Sequence, residues 1–272
     1  MRRSFSTLIL TALVTLALAL PGLAQGRLRL STTTSTENSG LLKVLLPPFE
    51  AANNVKVDVI AVGTGKALKL GENGDVDVVF THDPGLEDQF MAAGFGANRE
   101  KVMHNDFVVV GPAADPAGLK AVKTAAEAFQ RLAEGKASFI SRGDESGTHQ
   151  KEKALWKAAG IEPKGAWYVP AGQGMGEVLN MADEKRGYAL TDRGTYIAYQ
   201  SKIELPILFE GDPVLFNPYS IMAVNPAKHP HAQYDLAKKL VEFVVSREGQ
   251  KLIAGYALHG QQLFFPDAIP NP

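Results

Sequence analysis

Leu28-Arg29-Leu30-Ser31-Thr32-Thr33-Thr34-Ser35-Thr36-Glu37-Asn38-Ser39-Gly40-Leu41 runs from an alternating apolar stretch, through six consecutive hydroxyls, into a helical pattern. It reads as a strand whose carboxyl end passes straight into a helix, and the same unit recurs down the chain. Strands are expected over 28–31, 55–62, 76–81, 107–111, 138–141, 188–191, 207–209 and 220–224. Between them lie helical patterns over 41–52, 85–92, 125–134, 149–159 and 175–184, and one long final helix over 231–256 that opens after Asn225-Pro226. Regular alternation of this kind predicts an α/β fold, a mainly parallel sheet flanked by helices.

Two segments could carry the chain from one lobe to another. Val110-Gly111-Pro112 leaves the strand that begins at Asp106-Phe107, and Leu215-Phe216-Asn217-Pro218-Tyr219 enters the strand at Ser220. With both as crossings, lobe one comprises 25–110 plus 218–272 and lobe two comprises 111–217. Two α/β lobes joined by paired crossings form a hinged cleft suited to closing on a ligand.

The amino-terminal stretch reads as an export signal. Arg2 and Arg3 precede an uncharged apolar run from Phe5 to Leu20, Pro21-Gly22 breaks it, and Gly22-Leu23-Ala24 supplies small residues, so cleavage is expected after Ala24. The chain has no cysteine. That excludes disulfides, thiolate chemistry, cysteine-based zinc sites and a lipid anchor on cysteine, and an untethered exported protein fits the periplasm. Basic and acidic residues number 28 and 29; without Arg2 and Arg3 the balance is 26 against 29, a formal charge of −3. No basic patch argues for nucleic acid. An anion would have to be held by local donors.

Three strand-to-helix junctions offer such donors. The run Ser31–Thr36, with Thr33, Thr34 and Ser35 at its centre, places O–H groups beside free backbone N–H groups and the positive end of a helix dipole. An ordinary helix cap would need only one or two of those hydroxyls. The second junction, Val62-Gly63-Thr64-Gly65-Lys66, offers a hydroxyl at Thr64 and close backbone approach at Gly65, but its spacing is not that of a phosphate loop. The third, Ser141-Arg142-Gly143-Asp144-Glu145-Ser146-Gly147-Thr148-His149, combines the guanidinium fork of Arg142 with Ser146, Gly147 and Thr148 at a helix start.

These residues point to binding more than to catalysis. Ser146, His149 and Asp144 invite a hydrolase reading, yet Ser146 lacks the G-x-S-x-G elbow. The six histidines show no metal-ligand spacing, and no cofactor is expected. Gly172-Gln173-Gly174-Met175-Gly176 is a donor-rich turn that could face the cleft. Arg193, in Thr191-Asp192-Arg193-Gly194-Thr195, could reach the site or pair with Asp192.

Taken together, these motifs resemble the TupA family, the periplasmic tungstate-binding proteins of bacterial ABC importers. The resemblance is carried by Thr32–Thr36 with Ser39–Leu42, by Ala61–Gly65, and by Ser141–Asp144 with Ser146–His149. Ala171–Gly176, Leu190–Tyr196 and Phe216–Ser220 match in order. It implies a two-lobe periplasmic binding fold of type II character, a monomeric receptor for tungstate or molybdate, and a membrane permease with its ATPase as partners. It also makes Arg142 the cleft arginine and Thr33–Ser35 one wall of the site. The segment from Arg142 to Thr148 is similar as well to the R-x-D-G-S-G-T loop of phosphate-binding proteins, with Glu145 in place of a glycine. Phosphate carries a proton near neutral pH and gains from a carboxylate acceptor, whereas tungstate is a proton-free dianion. On the tungstate reading, therefore, Asp144 points away from the ligand or pairs with Arg142 or His149.

Overall fold

The computed structural model describes residues 26–268; the leader expected over 1–24, with its cleavage after Ala24, lies outside the described residues. No described helix is long and apolar enough to cross a membrane.

Three strands form a parallel core. β1 (Gly26–Thr33) pairs on one side with β2 (Val55–Val62) and on the other with β3 (Val78–Thr81). The connections carry α1 (Thr34–Asn38), α2 (Leu42–Asn53) and α3 (Thr64–Asn73). After β3, α4 (Pro84–Ala92) leads into β4 (Gly96–Val110), a 15-residue strand. β4 is joined antiparallel by β9 (Phe216–Val224), which itself pairs antiparallel with β3. The second half of the molecule contains α5 (Ala125–Glu134), β5 (Phe139–Ser141), α6 (Gly147–Ala158) and β6 (Tyr168–Pro170). It continues through α7 (Met175–Glu184), β7 (Ala189–Asp192), α8 (Arg193–Tyr199) and β8 (Ile207–Phe209). After β9 come α9 (Tyr234–Val245) and α10 (Arg247–Gly255), and then short strands, of which Phe265–Pro266 pairs antiparallel with β4.

Alternation along the shared strands divides the interior. In β3 and β9, Val78, Phe80, Ile221 and Ala223 pack toward Leu28, Phe49 and Leu240, while Val79 and Met222 face Leu68 and Phe90 on the other side. The same period of two governs the end of β4. Phe107 and Val109 join Phe129, Phe139 and Trp156, whereas Val108 and Val110 join Ile140, Val178 and Leu179. Along β4 the pairing changes from β9 to β7 between Asp106 and Phe107, four residues before the Gly111-Pro112 turn. Asp106 faces Phe216 of β9, and the next residue, Phe107, faces Asp192 of β7.

Several elements depart from the sequence reading. β4 starts at Gly96, not 107, because Arg99, Glu100 and Lys101 mask an otherwise extended stretch; Arg99 pairs with Glu87 and Asp88 of α4. The two crossing strands run antiparallel to their neighbours, so the parallel core is bordered by antiparallel pairs. The single final helix is two helices. Ser246 leaves helical geometry and its Oγ accepts from the Gly249 N–H at 3.2 Å, starting α10 afresh. His229 and His231 bond the carbonyls of Glu72 and Gly74, which delays the start of α9 to Tyr234.

Candidate functional site

The first wall is the start of α1. Two of the six hydroxyls are committed to backbone carbonyls: Ser31 Oγ donates to that of Ala67 in α3 at 2.9 Å and Thr32 Oγ1 to that of Phe80 in β3 at 2.8 Å. Thr33 caps α1 by accepting from the Thr36 N–H at 3.2 Å. Its hydroxyl also lies 2.7 Å from Thr36 Oγ1 and 3.0 Å from Ser35 Oγ, and Ser35 Oγ lies 3.3 Å from His82 Nε2. Thr34 Oγ1 faces the other half of the molecule: a β-carbon at Gly174, before α7, would lie 4.0 Å from it.

The starts of α3 and α6 meet head to head. The Gly147 N–H donates to Thr64 Oγ1 at 3.2 Å, both residues being buried. A β-carbon at position 147 would stand 2.9 Å from Thr64 Oγ1 and push the two helix starts apart. Six described α-helices close their amino ends with a side-chain acceptor: Thr33, Asp83, Thr124, Ser146, Asp192 and Ser246 cap α1, α4, α5, α6, α8 and α10. By contrast, α3 and α7 are capped by Gly63 and Gly174, which supply no such bond. Their first N–H groups are free to serve another acceptor, and each brings about half a positive charge from its helix dipole.

Arg142 stands beside these helix ends on a tightly specified turn. Gly143 has φ +57°, and a β-carbon there would press to 2.8 Å from Pro170. The Gly172 N–H donates to the Arg142 carbonyl at 2.9 Å, which ties the two glycine-rich turns together. From below, Ser141 Oγ accepts from the Gly143 N–H at 3.2 Å and donates to Glu152 Oε2 at 2.8 Å. Glu152 also accepts from Tyr168 and Trp156, and burial raises its pKa above the usual carboxylate range. Arg142 is 3 % exposed and one terminal nitrogen bonds Asp144 Oδ2 at 2.5 Å. The other Asp144 oxygen accepts from the Ser146 N–H at 3.1 Å. Among the described residues two buried side-chain nitrogens have no hydrogen-bond partner, Arg142 Nε and Asn105 Nδ2. A buried orphan donor on an arginine is costly, so its environment favours an acceptor, and an anion most of all.

A family model described as the PBP superfamily domain matches residues 22–248. The tungstate-binding protein TupA of Peptoclostridium acidaminophilum is 45% identical over 278 residues, covering 96% of this chain and 97% of that protein. The chain belongs to the TupA family of tungstate-binding proteins. Two solved structures are similar over nearly their whole lengths. The tungstate ABC transporter structure from Geobacter sulfurreducens is 67% identical and covers 85% of this chain and 98% of its own, with a TM-score of 0.79. The tungstate-binding protein TupA from Desulfovibrio alaskensis G20 is 50% identical and covers 90% and 100%, with a TM-score of 0.76. The two-lobe α/β periplasmic binding fold expected from the sequence is thus that of the TupA family.

Most residues singled out in the sequence gather around these three helix starts. Thr33, Thr34 and Ser35 form the α1 side, Thr64 and Gly147 touch across the halves, and Arg142, Ser146 and Thr148 are buried next to them. Gly65 presents its α-carbon to open space, so only its backbone N–H, in the first turn of α3, could serve an anion. Arg193 is directed elsewhere: it grips Asp106 at 2.6 Å with two nitrogens and Glu210 at 2.5 Å, and Asp192 caps α8 instead of pairing with it. Ser146 and His149 do not form a nucleophile–base pair. Ser146 Oγ accepts the His149 backbone N–H at 3.3 Å, while His149 Nδ1 accepts the Glu145 N–H at 3.0 Å. Sequence reasoning missed His82, Asn105 and Asn217. All three are buried at the crossings, and Asn217 Oδ1 lies 2.9 Å from His82 Nδ1. The available signal was a polar side chain just after one apolar strand, at His82, and two asparagines within strands, at Asn105 and Asn217.

Proposed function

We propose that this protein is the periplasmic substrate-binding component of a tungstate ABC importer, exported with cleavage after about Ala24 and acting as a monomer without catalysis. It takes up the tetrahedral oxyanion between lobe one (25–110 and 218–272) and lobe two (111–217), and a permease with its ATPase receives it. What supports this reading is the pair of glycine-capped helix starts, α3 from one lobe and α7 from the other, beside the unpartnered Nε of Arg142.

The mechanism follows from charge. Moving a dianion out of water is costly, and charge-assisted hydrogen bonds in a dry cleft offset that cost. Arg142 is paired with Asp144, so the positive field beyond that ion pair comes from helix ends: α3, α6 and α7 together supply roughly one and a half charges. Donors from Thr33–Ser35, Thr64, Gly65, Arg142, Ser146, Gly147 and Thr148 surround the four oxygens. Only the closed form brings both sets together, so the anion favours closure. Asp144, with both oxygens engaged by Arg142 and the Ser146 N–H, is occupied as a proton-free ligand requires. A phosphate site would use that carboxylate on the ligand's own proton. Molybdate shares charge and shape with tungstate and competes for the same donors.

Calorimetric titration of the refolded, ligand-free mature chain with tungstate, molybdate, sulfate and phosphate tests the proposal. Tight tungstate binding with weak phosphate binding is expected. Phosphate binding alone would overturn the reading.

A further inference from the structure

Ser35 has one proton to give, and the structure fixes where it goes. Thr33 Oγ1 receives the Thr36 N–H and lies 2.7 Å from Thr36 Oγ1 and 3.0 Å from Ser35 Oγ. Ser35 Oγ in turn lies 3.3 Å from His82 Nε2. The other face of the ring sets the direction of this chain. Asn217 Nδ2 donates to Asn105 Oδ1 at 2.6 Å, so Asn217 turns its Oδ1 toward His82 Nδ1 at 2.9 Å. An amide oxygen only accepts, so the hydrogen of a neutral imidazole sits on Nδ1 and Nε2 carries a lone pair. Ser35 must then donate to Nε2. The hydroxyls run Thr36 to Thr33 to Ser35 to His82, and the one at Ser35 offers nothing to an anion.

A second proton on the ring reverses this. With Nε2 protonated the imidazolium donates to Ser35 Oγ, and the Ser35 O–H is released toward the cleft. We propose that His82 is a positioning residue of the oxyanion site, which orients the Ser35 hydroxyl and takes up a proton as the anion binds. The inference rests on the oxyanion reading above.

The surroundings of His82 suit such an exchange. The ring stacks on Tyr219 at 4.7 Å, and an ideal β-carbon at Gly147 would lie 3.4 Å from its Cε1, which places it against the start of α6. It also lines a cavity of about 420 Å³ with Gly147, Lys151 and Asn217, a path by which water can deliver the proton. Burial holds its pKa below the ordinary histidine value, opposed by Asp192 at the start of α8 and by Glu87 and Asp83 of α4. Lys151 of α6, itself pushed down by burial, lines the same cavity with its ammonium on the Val214 carbonyl, and the buried phenol of Tyr219 is raised. Without the anion His82 is therefore neutral near pH 7. A dianion brought next to Ser35 adds negative charge and raises the pKa. Between the two values binding consumes a proton, so affinity falls as pH rises, by at most about tenfold per pH unit.

The test is calorimetric titration of the mature protein with sodium tungstate in Tris and in PIPES, whose ionisation enthalpies differ widely, from about pH 6.5 to 8.5 where histidine titrates. The expected result is a buffer-dependent heat corresponding to a large fraction of one proton taken up, with affinity declining across the range. His82→Gln should still bind while losing both the buffer dependence and the pH slope. The wild-type comparison stands without the variant, should that fail to fold. Equal heats in the two buffers would overturn the inference, and this is also what opposite amide orientations at Asn217 and Asn105 would give, with the hydrogen already on Nε2. So would unchanged proton uptake in His82→Gln. Absence of any tungstate heat would instead overturn the receptor reading, and the inference with it.

Discussion

The α1 junction at Thr33–Ser39 and the α6 junction at Arg142–Thr148 are the same unit, a strand end passing into a helix, built with different chemistry. On the first, the hydroxyls are neutral and chiefly bond one another, through Thr33 to Thr36 and Ser35, and no basic side chain is present. On the second, a guanidinium is held on a turn with positive φ, fixed by an aspartate at its tip and by a buried Ser141–Glu152 pair beneath. The difference teaches that counting hydroxyls overstates the number of donors. Charge enters from one wall, and the other contributes directed dipoles whose direction is set elsewhere, at His82.

Removing the charge should do the most damage. Arg142→Ala is expected to weaken tungstate binding by about 3 kcal/mol, roughly a hundredfold, because the anion's charge is left underpaired; unchanged affinity by calorimetry would take Arg142 out of the site. Next is closure. Gly147→Ala puts a β-carbon against Thr64 Oγ1 and should cost about 2 kcal/mol in affinity with little change in melting temperature, since the strain arises only where the halves meet. On the neutral wall, Ser35→Ala should cost about 1 kcal/mol, the worth of one hydrogen bond. A loss as large as that of Arg142→Ala would erase the distinction between the walls. The smallest effect is expected at Arg193→Gln. Because this arginine serves Asp106 and Glu210, affinity should stay within about twofold while stability falls by about 1 kcal/mol.

Much of this was legible in the sequence. Strand-to-helix junctions announce themselves by hydroxyls and glycines after an apolar run, so Thr33, Thr64, Arg142 and Gly147 could be found without coordinates. The charged half of β4 could not, because Arg99-Glu100-Lys101 hides the alternation that the partner strand β9 makes possible. The Ser246 break was obscured by apolar periodicity that continues on both sides of it. His82 and Asn105 were invisible for another reason. They lie 47 and 70 positions from Ser35, and only the pairing of β3, β9 and β4 brings His82, Asn217 and Asn105 into one chain of hydrogen bonds.

The most direct test of a single cage shared by both walls is diffraction from tungstate-bound crystals at the tungsten absorption edge. One strong anomalous peak is expected between Thr33–Ser35 and Arg142–Thr148, the oxygens around it within hydrogen-bond reach of Arg142 Nε and of the N–H groups opening α3 and α7. A peak elsewhere, such as in the cavity beside Lys151, or one touching a single wall only, would contradict it.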